Sequence, residues 1–151
     1  MELGLERKVG IVTGGASGIG RGIAERLVTE GVSTALFDID GDSVRKTAAE
    51  LGKNAVAFEM DVSKKRDVEA AVRKVLERFG KIDILVNNAA LKWSQRFIDI
   101  KEDDWDRIGD VNVKGVYLVT RPVLSHMVNR QYGKIINISS NASKEGIPNL
   151  S

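Results

Sequence analysis

Apolar positions along this chain fall into two alternating kinds of segment. Short runs rich in Val and Ile, bounded by Gly, Asp or Ser, alternate with longer stretches in which apolar residues recur every three or four positions. The short runs read as buried strands, because a parallel sheet covered on both faces produces near-continuous apolar segments. Five are predicted: Lys8–Thr13, Ser33–Asp38, Ala55–Glu59, Asp83–Asn87 and Lys134–Ser139. The longer stretches read as amphipathic helices. Ile19, Ile23 and Leu27 stand four apart and are expected to form the packed face of a first helix that Gly31 ends. Val44, Ala48 and Leu51 do the same for a second helix over 42–51, with Gly52 as its stop. The clearest period is the third, in which Val68, Ala71, Val72, Val75, Leu76 and Phe79 share one face and Gly80 closes the helix. After a loop from Ala90 to about Ile100, the carboxylates of Glu102, Asp103 and Asp104 favour a helix start by complementing the positive end of its dipole. That fourth helix is expected to run to about Asn129.

Strand and helix alternating throughout predict an α/β fold: a Rossmann-type doubly wound parallel sheet of five strands, order 3-2-1-4-5, with helices on both faces. Right-handed crossovers leave little other freedom. Residues 1–151 read as one domain, with no repeat, linker or low-complexity tract. The fourth helix is unusual in being apolar nearly all round from Val111 to Leu124. One domain offers it a single packed face, so a partner subunit is expected to cover the rest. Pro122 removes a helix hydrogen bond and predicts a kink near Leu118.

Composition narrows the classes. The chain is 42% apolar and 29% charged, with net charge +2, which provides no electrostatic footprint for nucleic acid. Lys64, Lys65 and Arg66 are followed by Asp67 and Glu69, the mark of a solvated helix start. Cys is absent, which excludes disulfides, thiol catalysis and Cys metal sites, and no metal is expected. No apolar run approaches a membrane span, and the charged N-terminus lacks a signal peptide's apolar core. A cytoplasmic location is the default expectation.

Chemistry enters at Thr13-Gly14-Gly15-Ala16-Ser17-Gly18-Ile19-Gly20, between the first strand and the first helix. Glycines there let the backbone turn tightly and approach a diphosphate resting on the helix N-terminus. Alone, such a cluster is equally a plain turn. Its context adds Asp38 at the end of the second strand, where an acid hydrogen-bonds a ribose 2′-hydroxyl and repels a 2′-phosphate. Neither Ser17 nor Ile39 is basic, so NAD is expected over NADP. Asp38 is otherwise a turn residue beside Asp40, Gly41 and Asp42. The candidate cofactor-binding residues of this loop are Gly14, Ser17, Gly18, Ile19 and Gly20.

With its Thr-Gly-x-x-x-Gly-x-Gly spacing, the chain resembles the short-chain dehydrogenase/reductase family, from about Leu5 to Ser151. The resemblance assigns further segments. Met60-Asp61-Val62-Ser63 would place Asp61 on the adenine amino group and Val62 on the ring; locally, Asp61 or Ser63 equally reads as a helix N-cap. Asn87-Asn88-Ala89-Ala90 is similar to the family's Asn-Asn-Ala-Gly, which implies cofactor contacts from Asn88, Ala89 and Ala90. Ala90 departs from the family's Gly, a change expected to shift the backbone there. Asn112 matches an active-site Asn whose backbone carbonyl holds a relay water; a mid-helix Asn is otherwise a weak helix former. Gly133-Lys-Ile-Ile-Asn-Ile-Ser-Ser140 matches the strand that delivers the catalytic Ser, which makes Ser140 the candidate that hydrogen-bonds the substrate carbonyl.

The implied activity is NAD-dependent interconversion of a small-molecule secondary alcohol and a carbonyl by hydride transfer. The family also implies a homo-oligomer, dimer or tetramer, through the 102–129 helix. Its proton-transfer Tyr and companion Lys, in a Tyr-x-x-x-Lys pattern, are expected just past Ser151. Within the chain, Tyr117 is followed four positions on by Arg121 and Tyr132 by Ile136. The 151 residues alone are therefore expected to be a C-terminally incomplete, inactive part of such an enzyme, or else a dinucleotide-binding fragment or association module. His126, the sole His, is expected to be a surface residue near a helix end. Lys92, Trp93 and Arg96 are expected in a solvated loop.

Overall fold

The computed structural model describes residues 3–92 and 94–140. Strands β1 (Val9–Thr13), β2 (Ser33–Asp38), β3 (Ala55–Glu59), β4 (Ile84–Asn87) and β5 (Lys134–Asn137) form one sheet of order β3-β2-β1-β4-β5. Every pairing is parallel. Helices α1 (Gly18–Thr29), α2 (Gly41–Leu51), α3 (Lys65–Phe79), α4 (Glu102–Gly109) and α5 (Gly115–Arg130) complete the doubly wound arrangement the pattern predicts.

Side-chain alternation along the strands feeds two cores. Ile11, Phe37 and Leu85 project to the face covered by α3 and α5, where Val68, Val72, Val75, Val119 and Val123 meet them. Val12, Leu36, Ile84 and Val86 project to the other face, toward Ala24 of α1 and Val44 of α2. In α1, Ile23 and Leu27 pack against this core as expected, joined by the buried Gly20 and Ala24, whereas Ile19 is 67% exposed. The small residues let the helix lie close to the sheet and leave Ile19 over the open end of the strands.

The fourth predicted helix is present as one continuous helical run from Glu102 to Arg130, with a π turn at Asp110–Lys114 between its segments α4 and α5, and α5 runs unbroken through Pro122. One face of α5, carrying Val119, Val123 and Met127, is buried against the sheet and α3. Val113, Tyr117, Leu124 and Val128 are exposed in the single chain. β5 is the outer strand on its side, is largely exposed, and ends two residues earlier than predicted.

At the amino end of β4, Asp83 is 1% exposed and joins three elements. Its carboxylate accepts the Val9 N–H at 2.9 Å and pairs with Arg130 at 3.1 Å and Lys81 at 3.4 Å. Burial pushes this carboxyl upward, but the Val9 N–H, Arg130 and Lys81 outweigh it and hold it below the ordinary value. Both backbone polar groups of neighbouring Ile82 are taken by α5: the N–H donates to His126 Nε2 at 3.3 Å and the carbonyl accepts from Arg130 at 3.1 Å. His126 is thus a half-buried acceptor rather than a surface side chain. Burial, and then the Arg130 charge, lower its imidazole below its ordinary value despite Asp83.

Candidate functional site

The carboxyl ends of β1, β2 and β4 open onto a cleft of about 720 Å³. In an open α/β sheet this is the crevice where ligands bind, beside the point at which strand order reverses between β1 and β4. Gly14, Ser17, Gly18, Ile19, Asp38, Asp61, Val62, Asn88, Ala89 and Ala90 all line it. Residues separated by as many as 76 positions thus share one wall.

Backbone geometry explains the glycines. Gly14 has φ +64, and a Cβ there would stand 2.9 Å from Asn88 Nδ2 and 3.0 Å from Ala89 Cα. Gly20 does not line the cleft. It is buried in the first turn of α1, where a Cβ would come within 2.0 Å of the Gly14 carbonyl oxygen and 2.5 Å of Asn88 Nδ2. It therefore sets how closely α1 approaches the loop. Ser17 precedes α1 without a side-chain cap bond, so the first-turn N–H groups of the helix face the cleft mouth beside an exposed hydroxyl. That arrangement suits an anion.

Thr13, 2% exposed, ties the loop to β4. Its hydroxyl accepts the N–H groups of Asn88 at 2.9 Å and Ala89 at 3.0 Å, and donates to the Val86 carbonyl at 3.4 Å. Asn88 returns the contact, donating from Nδ2 to the carbonyls of Thr13 at 3.1 Å and Gly14 at 3.2 Å. Sequence reasoning placed Thr13 in the loop but gave it no task. Thr47 of α2, which donates to the Ala16 carbonyl at 2.8 Å, carried no signal at all.

Asp38 sits at the end of β2 with both oxygens engaged. Oδ2 accepts the Ala16 N–H at 3.0 Å and Oδ1 accepts the Asp40 N–H at 3.1 Å. Asp40 caps α2 by accepting the Ser43 N–H and hydroxyl, which hold its carboxyl below the ordinary range. On the far side of the cleft, Asp61 Oδ1 accepts both the N–H and the hydroxyl of Ser63. Neither of these two residues caps α3; its N-cap is Lys64. Val62 is buried against Gly115, where a Cβ would meet Val62 Cγ2 at 2.9 Å.

Ala90 lies outside the left-handed region, in which Arg7 and Gln131 are the non-glycine residues among those described. Alanine is thus held at this position without left-handed strain. Asn112 stands in the π turn and spends its side chain on Leu91: Oδ1 accepts the Leu91 N–H at 2.8 Å and Nδ2 donates to the Leu91 carbonyl at 2.9 Å. It thereby anchors the loop that follows Ala90. Asn112 itself does not line the cleft, although its neighbour Val111 does. Ser140 is exposed beyond the carboxyl end of β5 and is not brought into the cleft wall. Arg96 pairs with Asp99 at the surface, Lys92 is exposed, and Trp93 and everything past Ser140 lie outside the described residues. Among the described residues, no group of three or more His, Asp or Glu is placed to hold a metal ion, and no helix is long and apolar enough to cross a membrane.

A doubly wound parallel sheet with a glycine turn after β1 and an acid at the end of β2 defines the Rossmann-type α/β class. Comparison with known proteins narrows it. The family model "short chain dehydrogenase" matches residues 8–151, and the chain belongs to that family. It is 40% identical over 143 residues to a sorbitol dehydrogenase of Cereibacter sphaeroides, covering 94% of this chain and 56% of that protein. Among solved structures, it superposes on a 3-ketoacyl-(acyl-carrier-protein) reductase from Brucella melitensis complexed with NADH. The TM-score is 0.93 at 40% identity, over 97% of this chain and 62% of that one. An NAD+-bound xylitol dehydrogenase gives a TM-score of 0.91 at 35% identity, over 97% and 58% of the two chains. The chain thus spans little more than half the length of these curated relatives.

Proposed function

We propose that the protein carrying this chain is an oxidoreductase that interconverts a small secondary alcohol and a carbonyl by hydride transfer with NAD. The observation that carries the reading is the joint seat made by the Gly14–Gly20 turn and Asp38 in one cleft. The seat fits a dinucleotide. Glycine at 14 lets the turn pack against Asn88 and Ala89, glycine at 20 lets the first turn of α1 close onto the Gly14 carbonyl, and the carboxylate discourages the extra phosphate of NADP. NAD-bound relatives of the same fold support the choice, with NADP as the alternative.

In this reading the first-turn N–H groups of α1 and Ser17 bind the diphosphate. Asp38 accepts from the adenosine ribose, Asp61 and Val62 border the adenine, and Asn88, Ala89 and Ala90 wall the nicotinamide side. Asn112 fixes the loop beneath that wall. Ser140 hydrogen-bonds the substrate oxygen and stabilises charge developing on it. The bound nicotinamide supplies the hydride donor or acceptor. Proton transfer is assigned to a Tyr beyond residue 151, where a nearby cation would lower a phenol from its usual pKa of about 10. A second copy of the chain is proposed to cover the exposed face of α5, as a dimer or tetramer. For the 151 residues by themselves a second reading stands, dinucleotide binding without turnover, because neither Tyr117 nor Tyr132 begins a Tyr-x-x-x-Lys pattern.

Calorimetry with NAD and NADP, and nicotinamide absorbance followed with a panel of secondary alcohols and polyols, test the reading on the full-length protein. NAD uptake is expected to exceed NADP uptake. Asp38→Ala is expected to weaken NAD about tenfold or more, the effect of losing charge-assisted hydrogen bonds, and to narrow the preference. A folded protein that takes up neither nucleotide overturns it.

A further inference from the structure

The carboxamide of Asn87, the last residue of β4, is 4% exposed and joins three elements. Its Nδ2 donates to Thr120 Oγ1 on α5 at 3.0 Å and to Asn137 Oδ1 on β5 at 2.8 Å. Asn87 and Asn137 are also register partners across β4 and β5, and the Ile138 N–H donates to the Asn87 carbonyl at 2.9 Å. The oxygen of the same carboxamide is buried without a hydrogen-bond partner. Interchanging the amide's nitrogen and oxygen would leave one end unpartnered all the same.

A buried amide with an orphaned end is a poor way to gain stability, since an apolar side chain of similar shape carries no such penalty. What the amide supplies is direction: it fixes α5 and β5 at set distances from the end of β4. β4 leads directly into the cleft wall at Asn88, the helical run of α5 continues from Val111 in the same wall, and β5 leads to the serines beyond its carboxyl end. Asn88 follows Asn87 directly, Asn112 lies upstream on the helical run of α5, and Ser139 and Ser140 follow Asn137 by two and three residues. Thr120 and Asn137 do not line the cofactor cleft, so neither is expected to touch cofactor or substrate.

We propose that Thr120 and Asn137 are positioning residues for hydride transfer: through the Asn87 amide they set where the serine-bearing end of β5 stands relative to the nicotinamide wall at the end of β4. This rests on the oxidoreductase reading above. Displacement of a reacting group by about 1 Å costs about a hundredfold in rate, and loosening one tie of the amide is expected to release a fraction of that.

The test uses the full-length protein, with Thr120→Val, Thr120→Ser and Asn137→Ala compared at equal concentrations of NAD-binding sites. Thr120→Val and Asn137→Ala are expected to lower kcat about tenfold while the NAD dissociation constant stays within about twofold. Thr120→Ser, which keeps the hydroxyl, is expected to restore kcat. Asn137→Ala removes an exposed side chain and leaves the tie to α5 in place, so it remains readable if Thr120→Val does not fold. Unchanged kcat in Asn137→Ala and in any folded Thr120→Val overturns the inference alone, provided the unaltered protein binds NAD and turns over. A fall in NAD affinity matching the fall in kcat also overturns it, because that marks general loosening of the site. An unaltered protein without NAD binding or turnover overturns the underlying reading and the inference with it.

Discussion

Replacing Thr13 with Val removes one oxygen from the joint between β1 and β4 and leaves the shape nearly unchanged. The hydroxyl accepts two N–H groups, at 2.9 and 3.0 Å, and makes one long donation at 3.4 Å. Asn88 and Ala89 are half-buried, so water reaches their N–H groups in part and each stranded donor is expected to cost about 1 kcal/mol, the lower end for such groups. With the lost donation, Thr13→Val is expected to destabilise by about 2–3 kcal/mol. Thr13→Ser keeps the oxygen and loses one buried methyl, a loss of about 0.8 kcal/mol. With a urea slope of about 2 kcal/mol per molar, the unfolding midpoint falls by about 1–1.5 M for Val and by under about 0.5 M for Ser. NAD binding weakens in Val beyond what Ser shows, because Asn88 loses the anchor that aims its amide at the Gly14 carbonyl. Equal midpoints for the two variants would refute the argument that the hydroxyl, and not the bulk of Thr13, holds the joint.

Two further outcomes follow from the same geometry. Gly20→Ala places a methyl 2.0 Å from the Gly14 oxygen and is expected to weaken NAD binding sharply, whereas Gly22→Ala meets nothing within 4 Å and gains up to about 1 kcal/mol of helix propensity; matching calorimetry and melting curves for the two would count against the close-approach argument. Stability is also expected to depend on pH at the base of β4. His126 has a lowered folded pKa, so the unfolded chain binds its proton first; the contribution is present above the ordinary value of 6.5 and is lost as pH falls through the folded one. Asp83, also lowered, keeps its contribution above 3.8 and loses it as pH falls further, through its own folded value. Urea midpoints measured from about pH 8 down to about pH 5 should drop more steeply for the unaltered protein than for His126→Gln, and parallel slopes would contradict the burial of that imidazole.

The sheet was legible because burial on both faces writes itself into the sequence as apolar runs, and the helices because their periods are regular. Local chemistry decided what was not. Ile23 and Leu27 pack as their spacing predicts, but Ile19 does not, because the close approach in the first turn of α1 is made by Gly20, a small residue that periodicity does not weigh. The helical run over 102–130 was legible, but the π turn at Asp110–Lys114 inside it leaves no mark in an apolar stretch. Cleft residues on the glycine turn, β2 and β4 were readable from their positions at strand ends. Thr13, Thr47 and Asp83 escaped notice as participants because they tie together segments 31 to 76 positions apart, a distance at which a single polar residue carries no periodic signature.

One consequence of the Asp38 geometry concerns entropy. With Ala16 donating to one oxygen and Asp40 to the other, the carboxylate is already rotationally fixed before any sugar arrives. Under the proposed reading, a ribose docking there would meet a hook whose torsions are frozen by folding, with little side-chain freedom left to surrender on association. The orientation of the carboxylate at that corner of the cleft is in this sense settled when the chain folds.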